Sequence, residues 1–140
     1  LGFSIGLHTA GAYPRRLLQV LPKVDWVGID IKAPIADYAG VTGIPGSGVA
    51  ALACLGLVRN AGVAYEIRTT VHPVLTPPAA MERLARELAA RGVERWILQA
   101  FRATGCANEA AVAAAPNGAL PDRALVARLS EHVPVIEVRG

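Results

Sequence analysis

The chain has 140 residues, a formal net charge of +3 and 53% hydrophobic residues. That length suits one domain with one hydrophobic core. The basic residues are spread along the chain and only 5% of all residues are aromatic, which argues against nucleic-acid binding. No apolar run approaches the roughly 20 residues needed to cross a bilayer, so we expect no membrane-spanning segment.

Apolar runs rich in Ile and Val alternate with segments of helical period, and Gly or Pro stands at most junctions. The predicted elements are, in chain order, strand Phe3–His8, helix Pro14–Leu21, strand Trp26–Ile31, helix Val49–Ala61, strand Tyr65–Val71, helix Pro78–Ala90, strand Trp96–Phe101, helix Pro121–Leu129 and strand Val133–Val138. Thr76 is the predicted N-cap of the third helix. The stretches 34–48 and 102–121 are predicted loops, and Asn117-Gly118 a turn.

Alternation of strands and helices predicts an α/β fold with a parallel sheet and right-handed crossovers. Five strands are too few for a closed (β/α) barrel, so we expect one domain, residues 1–140, that is the C-terminal part of a partial barrel. The first residue is Leu1 and not Met, which suggests that further strands precede Phe3. Without them the first strand would be an unpaired apolar edge, and such an edge favours dimers or aggregates.

Several predicted strands end in side chains that can form hydrogen bonds or carry charge. In a parallel sheet these carboxyl ends lie on one edge, where ligands of α/β proteins bind. The candidate site residues are, in chain order, His8, Thr9, Asp30, Lys32, Arg68 and Gln99. We therefore expect one shared site.

Structural explanations compete with a functional one for the charged residues. Asp30 and Lys32 are two residues apart, so on a strand they share a face and could form a simple ion pair. Arg68 lies inside an apolar strand, where a guanidinium needs an anion or several carbonyls. A ligand carboxylate or phosphate would serve, and Glu66 is a possible orienting partner on the same side of the strand.

Three further features have an ordinary structural explanation. His8 and His72 are each more easily read as loop histidines with satisfied hydrogen bonds than as catalytic bases. The segment Gly43–Gly48 lacks the lysine of a phosphate-binding P-loop and reads as a flexible turn. Cys54 and Cys106 are too far apart for a local metal site and too few for a disulfide framework, which suggests a reducing cytoplasm.

Four segments together carry a resemblance to a known family. They are Gly6–Gly11 (GLHTAG), Asp25–Pro34 (DWVGIDIKAP), Tyr65–Pro73 (YEIRTTVHP) and Ile97–Arg102 (ILQAFR). In this order they resemble the radical S-adenosylmethionine family, in particular the activating proteins of anaerobic ribonucleoside-triphosphate reductase. The closing Ile136–Gly140 resembles the C-terminus of those proteins.

The resemblance implies an enzyme in which a [4Fe–4S] cluster, held by a CxxxCxxC motif, binds S-adenosylmethionine. Reduction, by a donor such as flavodoxin, cleaves S-adenosylmethionine to methionine and a 5′-deoxyadenosyl radical. That radical removes hydrogen from a glycine of the partner reductase. The CxxxCxxC motif does not occur in these 140 residues, so we expect the cluster ligands to lie outside this chain and the chain alone to be inactive.

The resemblance also implies roles for individual residues. His8 and Thr9 correspond to a strand end at which related enzymes bind a monovalent cation, and Asp30 matches the second carboxylate of that region. Lys32 and Arg68 match basic residues that face the methionine carboxylate or the substrate glycine loop. Gln99 matches a polar residue near the nucleoside.

Two other functions remain open from the sequence. One is a different radical S-adenosylmethionine enzyme that acts on a small molecule. The other is a non-radical (β/α) enzyme or binding domain of the sugar-phosphate type, in which Lys32 would form an imine or contact a phosphate.

Overall fold

Five strands form one all-parallel sheet whose spatial order, β1-β2-β3-β4-β5, is the order of the chain. The computed structural model describes residues 2–115 and 119–140. The strands are β1 Gly6–Thr9, β2 Trp26–Asp30, β3 Ala64–Val71, β4 Arg95–Ala100 and β5 Val135–Arg139. The α-helices are α1 Pro14–Val20, α2 Tyr38–Thr42, α3 Ser47–Asn60, α4 Pro78–Ala90, α5 Glu109–Ala114 and α6 Arg123–Ser130.

The α/β class and the parallel sheet are confirmed, whereas closure into a partial barrel stays a prediction. The chain divides into two compact units, Leu1–Arg68 and Thr69–Gly140, and β3 runs from the first unit into the second.

In the first unit, one face of β2 carries the apolar side chains of Val27 and Ile29. Both are fully buried, and Ile67 of β3 is also fully buried. Helices α1 and α3 contact one another and bury apolar residues of their own, including Leu17 and Leu55. Because a buried helix stripe must meet an apolar sheet face, both helices cover the Val27 side of the sheet.

In the second unit, the core lies between β4 and helices α4 and α6. Trp96 and Leu98 are fully buried, and the indole nitrogen of Trp96 donates a 2.9 Å hydrogen bond to the Thr69 hydroxyl. The residues Met81, Leu84 and Leu88, which share one helical stripe in the sequence, are all buried. Helices α4 and α6 contact each other.

The first strand is shorter than predicted and begins at Gly6 instead of Phe3. Phe3 and Ile5 are exposed, at 87% and 53%. Ile5 is nevertheless held beside β2: its carbonyl accepts hydrogen bonds from Asp25 N and Trp26 N, and its amide donates to the Asp25 carboxylate at 2.7 Å. The apolar run therefore continues beyond the regular strand.

Three other sequence predictions need correction. Both predicted loops contain a helix, since α2 lies within residues 34–48 and α5 within residues 102–121. Thr76 is not the N-cap of α4, because that position is Pro77; the Thr76 hydroxyl instead bonds the amide and carbonyl of His72. The turn predicted at Asn117-Gly118 lies outside the described residues.

Candidate functional site

The first unit has one sheet face that is polar, opposite the apolar face under α1 and α3. Strand register places His8 beside Gly28, Gly28 beside Glu66, and Asp30 beside Arg68. Side chains two residues apart on a strand share a face. The polar sheet face, as we name it, therefore comprises His8, Trp26, Gly28, Asp30, Glu66 and Arg68.

An ion pair on this face joins Asp30, the last residue of β2, to Arg68 within β3. The Arg68 guanidinium donates from Nε to Asp30 Oδ1 at 3.0 Å, and its Nη2 lies 2.8 Å from the same oxygen. The Arg68 side chain is only 13% exposed, while that of Asp30 is 40% exposed. The prediction that Arg68 needs an anion is confirmed, but the anion that the structure gives it is Asp30. Sequence spacing had instead suggested Lys32 as the partner of Asp30 and Glu66 as that of Arg68.

Tyr38, at the start of α2, fixes the backbone where β2 ends. Its buried hydroxyl accepts a hydrogen bond from Lys32 N at 3.1 Å and donates one to the Asp30 carbonyl at 3.4 Å. Burial raises the pKa of this hydroxyl, and the nearby Asp30 carboxylate acts in the same direction. The predicted loop after β2 therefore contains a residue that positions the site, and the sequence pattern had not indicated it.

Lys32 follows the end of β2 and is exposed, whereas its neighbours Ile31 and Ala33 are each 1% exposed. Lys32 therefore lies at the surface, two residues after the partly exposed Asp30. The end of β2 thus offers one positive and one negative group to a ligand.

His8 and Trp26 form an aromatic contact on the polar sheet face. Their ring centroids are 5.0 Å apart, with an angle of 71° between the planes. A Cβ atom on Gly28 would lie 2.7 Å from Trp26 Cη2 and 2.9 Å from His8 Nδ1. Glycine at position 28 is therefore what allows both rings to lie over β2. Trp26 was not among the predicted site residues, although its spacing of four residues from Asp30 places the two on one face of β2.

Thr9 lies on the opposite face of β1 from His8, because successive strand residues alternate. It is half-buried, and its hydroxyl accepts a 3.0 Å hydrogen bond from Gly11 N. Gly11 has a φ of +68° and would bring a Cβ to 3.1 Å from the Ala51 backbone. The Thr9 hydroxyl thus stabilises the turn at the end of β1.

Gln99 belongs to the second unit, in β4, where it is half-buried and lies beside Arg139 of β5 in the strand register. It alternates with the buried Leu98 and so lies on the other face of that strand. The candidate residues His8, Asp30 and Arg68 come together in the first unit.

The histidine at the end of β3 has its hydrogen bonds satisfied. His72 Nδ1 accepts from the amides of Val74 and Leu75, each at 3.1 Å, and Nε2 therefore carries the proton donated to the Ala111 carbonyl at 2.9 Å. The ring is buried and packs edge-on against Phe101. The structural interpretation of His72 is confirmed.

The cysteines do not form a cluster site. Cys54 is fully buried in α3, where burial raises the pKa of its thiol, and Cys106 lies in the loop before α5. In residues 2–115 and 119–140 there is no group of three or more His, Cys, Asp or Glu residues that could hold a metal ion. The residues present therefore do not fit a [4Fe–4S] cluster, which needs cysteine thiolates.

An apolar groove of about 400 Å³ lies elsewhere in the first unit. Its lining residues are Leu18, Leu21, Pro22, Leu57, Asn60 and Ala61. These residues precede β2 or β3 in the chain, so the groove lies at the edge where the strands begin. The predicted site lies at the edge where they end, and none of its residues lines the groove.

Across the described segments, no single helix is both long enough and apolar enough to cross a membrane. The segments Ile35–Thr42 and Ser47–Asn60 reach that length and apolarity only as a pair, bent by 117°.

The fold and site define a parallel α/β protein with an exposed lysine at the carboxyl end of β2 and an ion pair from there to the neighbouring strand. A scan against models of known families, a search of curated proteins and a search of solved structures each found no match.

Proposed function

We propose that this chain is the S-adenosylmethionine-binding part of a radical enzyme that generates the glycyl radical of anaerobic ribonucleoside-triphosphate reductase. In this proposal it works in the cytoplasm and receives electrons from a donor such as flavodoxin. The observation that carries the proposal is the Asp30–Arg68 ion pair at the end of β2, followed two residues later by the exposed Lys32, because the family resemblance assigns cofactor binding to these residues.

The topology supports a ligand site on the polar sheet face. When parallel strands follow one another in chain order with right-handed crossovers, the connecting helices all lie on the same side of the sheet. This is the arrangement of (β/α) barrels, whose other sheet face points inward and whose ligands bind at the carboxyl ends of the strands. The polar sheet face is the side of the first unit that α1 and α3 leave uncovered.

The charges suit the methionine part of S-adenosylmethionine, which carries a carboxylate and an ammonium group. Lys32 would bind the carboxylate by a charge-assisted hydrogen bond, and the exposed part of the Asp30 carboxylate would bind the ammonium. Arg68 orients Asp30 through a hydrogen bond and an ion-pair contact to one carboxylate oxygen, which makes Arg68 a positioning residue in addition to any direct contact. Trp26 and His8 supply ring surfaces for an apolar or planar part of the ligand.

S-Adenosylmethionine supplies the radical chemistry, while the protein supplies binding, orientation and exclusion of water. The proposal assigns the cluster ligands to cysteines outside these 140 residues, because Cys54 and Cys106 do not fit that role.

Titration calorimetry with S-adenosylmethionine tests the proposal. The sequence contains two lysines, and Lys23 provides a matched control because it lies before β2, at the opposite edge from Lys32. We expect Lys32→Gln to weaken binding about ten- to a hundred-fold, since one hydrogen bond to a charged group is lost. Lys23→Gln should bind like the wild type. Absence of binding to the wild type, or equal weakening by both changes, would contradict the proposal.

A further inference from the structure

The apolar groove of the first unit lies between two helices. One wall consists of Leu18, Leu21 and Pro22, from α1 and the turn after it, and the other wall includes Leu57 of α3. Helices α1 and α3 contact each other, so both walls belong to one layer of helices. Leu18 is 57% exposed, and the groove therefore presents an apolar side chain to solvent.

This groove lies inside the helix layer and not at the β1 edge of the sheet. With strands in chain order and right-handed crossovers, the helices follow the same order, so α1 and α3 are neighbours. A strand and helix that precede β1 would lie beyond α1, on the side away from α3. They would leave the groove between α1 and α3 open.

The segments that form the two walls carry positive charge alone. Residues 10–24 and 38–63, which include both walls, contain no Asp or Glu. They contain four basic residues, all of them exposed, which are Arg15, Arg16, Lys23 and Arg59. Asp25 follows the first segment, and its carboxylate accepts a hydrogen bond from the Ile5 amide. The surface of these helices thus complements an acidic partner.

Two of the four basic residues flank the groove. Arg15 lies three residues before Leu18, and residues at that spacing share a face of a helix. Lys23 follows Pro22 directly, at the end of the same wall. Among the described residues, neither Arg15 nor Lys23 forms an ion pair. Their charges are therefore available to a ligand.

We propose that this groove binds an acidic amphipathic helix of a partner protein. The apolar side chains of that helix would contact Leu18 and Leu57, and its carboxylates would lie beside Arg15 and Lys23. The walls consist of helix side chains and offer no sheet edge to an extended peptide, so the occupant must satisfy its own backbone hydrogen bonds, as a helix does. This inference does not depend on the proposed cofactor, because the groove lies at the opposite edge of the sheet.

The shape of the groove favours a protein segment over a lipid surface. A groove is concave, whereas an element that binds a membrane buries a protruding apolar face in the lipid. The contact is also smaller than the interfaces of about 1,200–2,000 Å² that characterise stable complexes. We therefore expect transient binding, with a dissociation constant in the micromolar range.

Fluorescence anisotropy with two labelled synthetic peptides tests the chemistry of the partner. One peptide is a helix with leucine at every third or fourth position and glutamate on the remaining face, and the other has lysine in place of each glutamate. We expect the glutamate peptide to bind less tightly as salt rises, and the lysine peptide not to bind. Equal binding of the two peptides, or no binding of the glutamate peptide, would overturn the proposal.

Two pairs of variants test the location. Leu18→Ala removes an apolar side chain of the groove, and its control is Val20→Ala, because Val20 is 38% exposed on the same helix but does not line the groove. Arg15→Gln removes a flanking charge, and its control is Arg59→Gln, two residues from Leu57, a spacing that does not share a helix face. We expect Leu18→Ala to weaken binding of the glutamate peptide about ten-fold and Arg15→Gln about two- to five-fold. Both controls should bind like the wild type.

All four changes are at exposed positions, so each variant should fold, which circular dichroism checks. Equal effects within either pair would place the binding outside the groove and overturn the proposal. A different class of partner is tested with vesicles of phosphatidylglycerol. If the wild type bound these vesicles through Leu18 and did not bind the glutamate peptide, the groove would belong to a membrane surface and the proposal would be wrong.

Discussion

Asp30 and Arg68 are 38 residues apart in the chain, and their side chains meet because β2 and β3 are parallel neighbours in register. The Arg68 side chain is only 13% exposed, so the main role of the Asp30 carboxylate is to compensate the largely buried positive charge of Arg68. The Asp30 carboxylate, at 40% exposure, keeps one side open to solvent or ligand.

We expect Asp30→Asn to lower the free energy of unfolding by about 1–3 kcal/mol, because it leaves the Arg68 guanidinium without its carboxylate. The loss is smaller than for a fully buried pair because water reaches Asp30. Urea denaturation measures it. Glu94→Gln is the control, since Glu94 is also an exposed acidic residue and should change stability by less than about 0.5 kcal/mol. An equal effect of both changes would mean that the pair contributes nothing specific.

The raised pKa of Tyr38 predicts how stability depends on alkaline pH. The folded protein holds the phenol proton more tightly than the unfolded chain, whose tyrosine has its ordinary pKa of 10.0. The resulting stabilisation is complete below pH 10 and is lost as pH rises through the higher pKa of the folded state. Tyr38→Phe should therefore flatten the fall in stability above pH 10. Denaturation curves at pH 8 to 11 that fall equally in the wild type and in Tyr38→Phe would contradict this.

At the scale of elements, α3 has two glycines whose surroundings differ. A Cβ on Gly48 would lie 2.8 Å from Tyr38 Cβ and 3.2 Å from the Ile35 carbonyl oxygen, while a Cβ on Gly56 would meet nothing within 4 Å. Gly48 thus lets α3 approach the segment that carries Tyr38. This close contact links the helix layer to the end of β2.

Alanine substitution at the two positions should have opposite effects. Gly56→Ala should stabilise the protein by about 0.5–1 kcal/mol through helix propensity alone. Gly48→Ala gains the same propensity but overpacks the contact with Tyr38, and we expect a net loss of about 1–3 kcal/mol. Thermal unfolding of both variants measures the difference. If Gly48→Ala were as stabilising as Gly56→Ala, the close packing of Gly48 against Tyr38 would be contradicted.

Elements with strong periodicity could be predicted from the sequence, and those defined by tertiary contacts could not. All five strands and the four longer helices were predicted, because buried parallel strands have continuous apolar runs. Helices α2 and α5 are short and lie among Gly, Pro and Ala, where no apolar period distinguishes them. The first strand was predicted too long because the exposed Phe3 and Ile5 look like core residues in the sequence.

The candidate site shows the same division. Alternation along one strand correctly gives the faces of Asp30 and Arg68, because it is a local property. Their pairing depends on the register between two strands, which no local pattern contains, and so the sequence suggested Lys32 and Glu66 instead. Tyr38 binds the backbone at the end of β2 only because the chain after β2 turns back and brings the Tyr38 hydroxyl to Lys32 N and the Asp30 carbonyl.

At the scale of the whole molecule, strand order is the feature that connects fold to function. Strands that follow chain order leave one sheet face without crossover helices, and in the first unit that face carries an ion pair, an aromatic contact and an exposed lysine at its carboxyl edge. A parallel sheet that is buried on both faces and has no ligand site would be apolar on both faces. The charged groups on this face are therefore the central argument for a ligand site.

Nuclear magnetic resonance tests the location of that site most directly. On titration of the ¹⁵N-labelled chain with S-adenosylmethionine, we predict that the largest amide shifts fall at the ends of β1 and β2 and at Arg68 of β3, that is, at residues 8–11, 30–33 and 68. The apolar groove between Leu18 and Ala61 serves as an internal reference and should not respond. Shifts concentrated in that groove, or none at saturating ligand, would contradict the account.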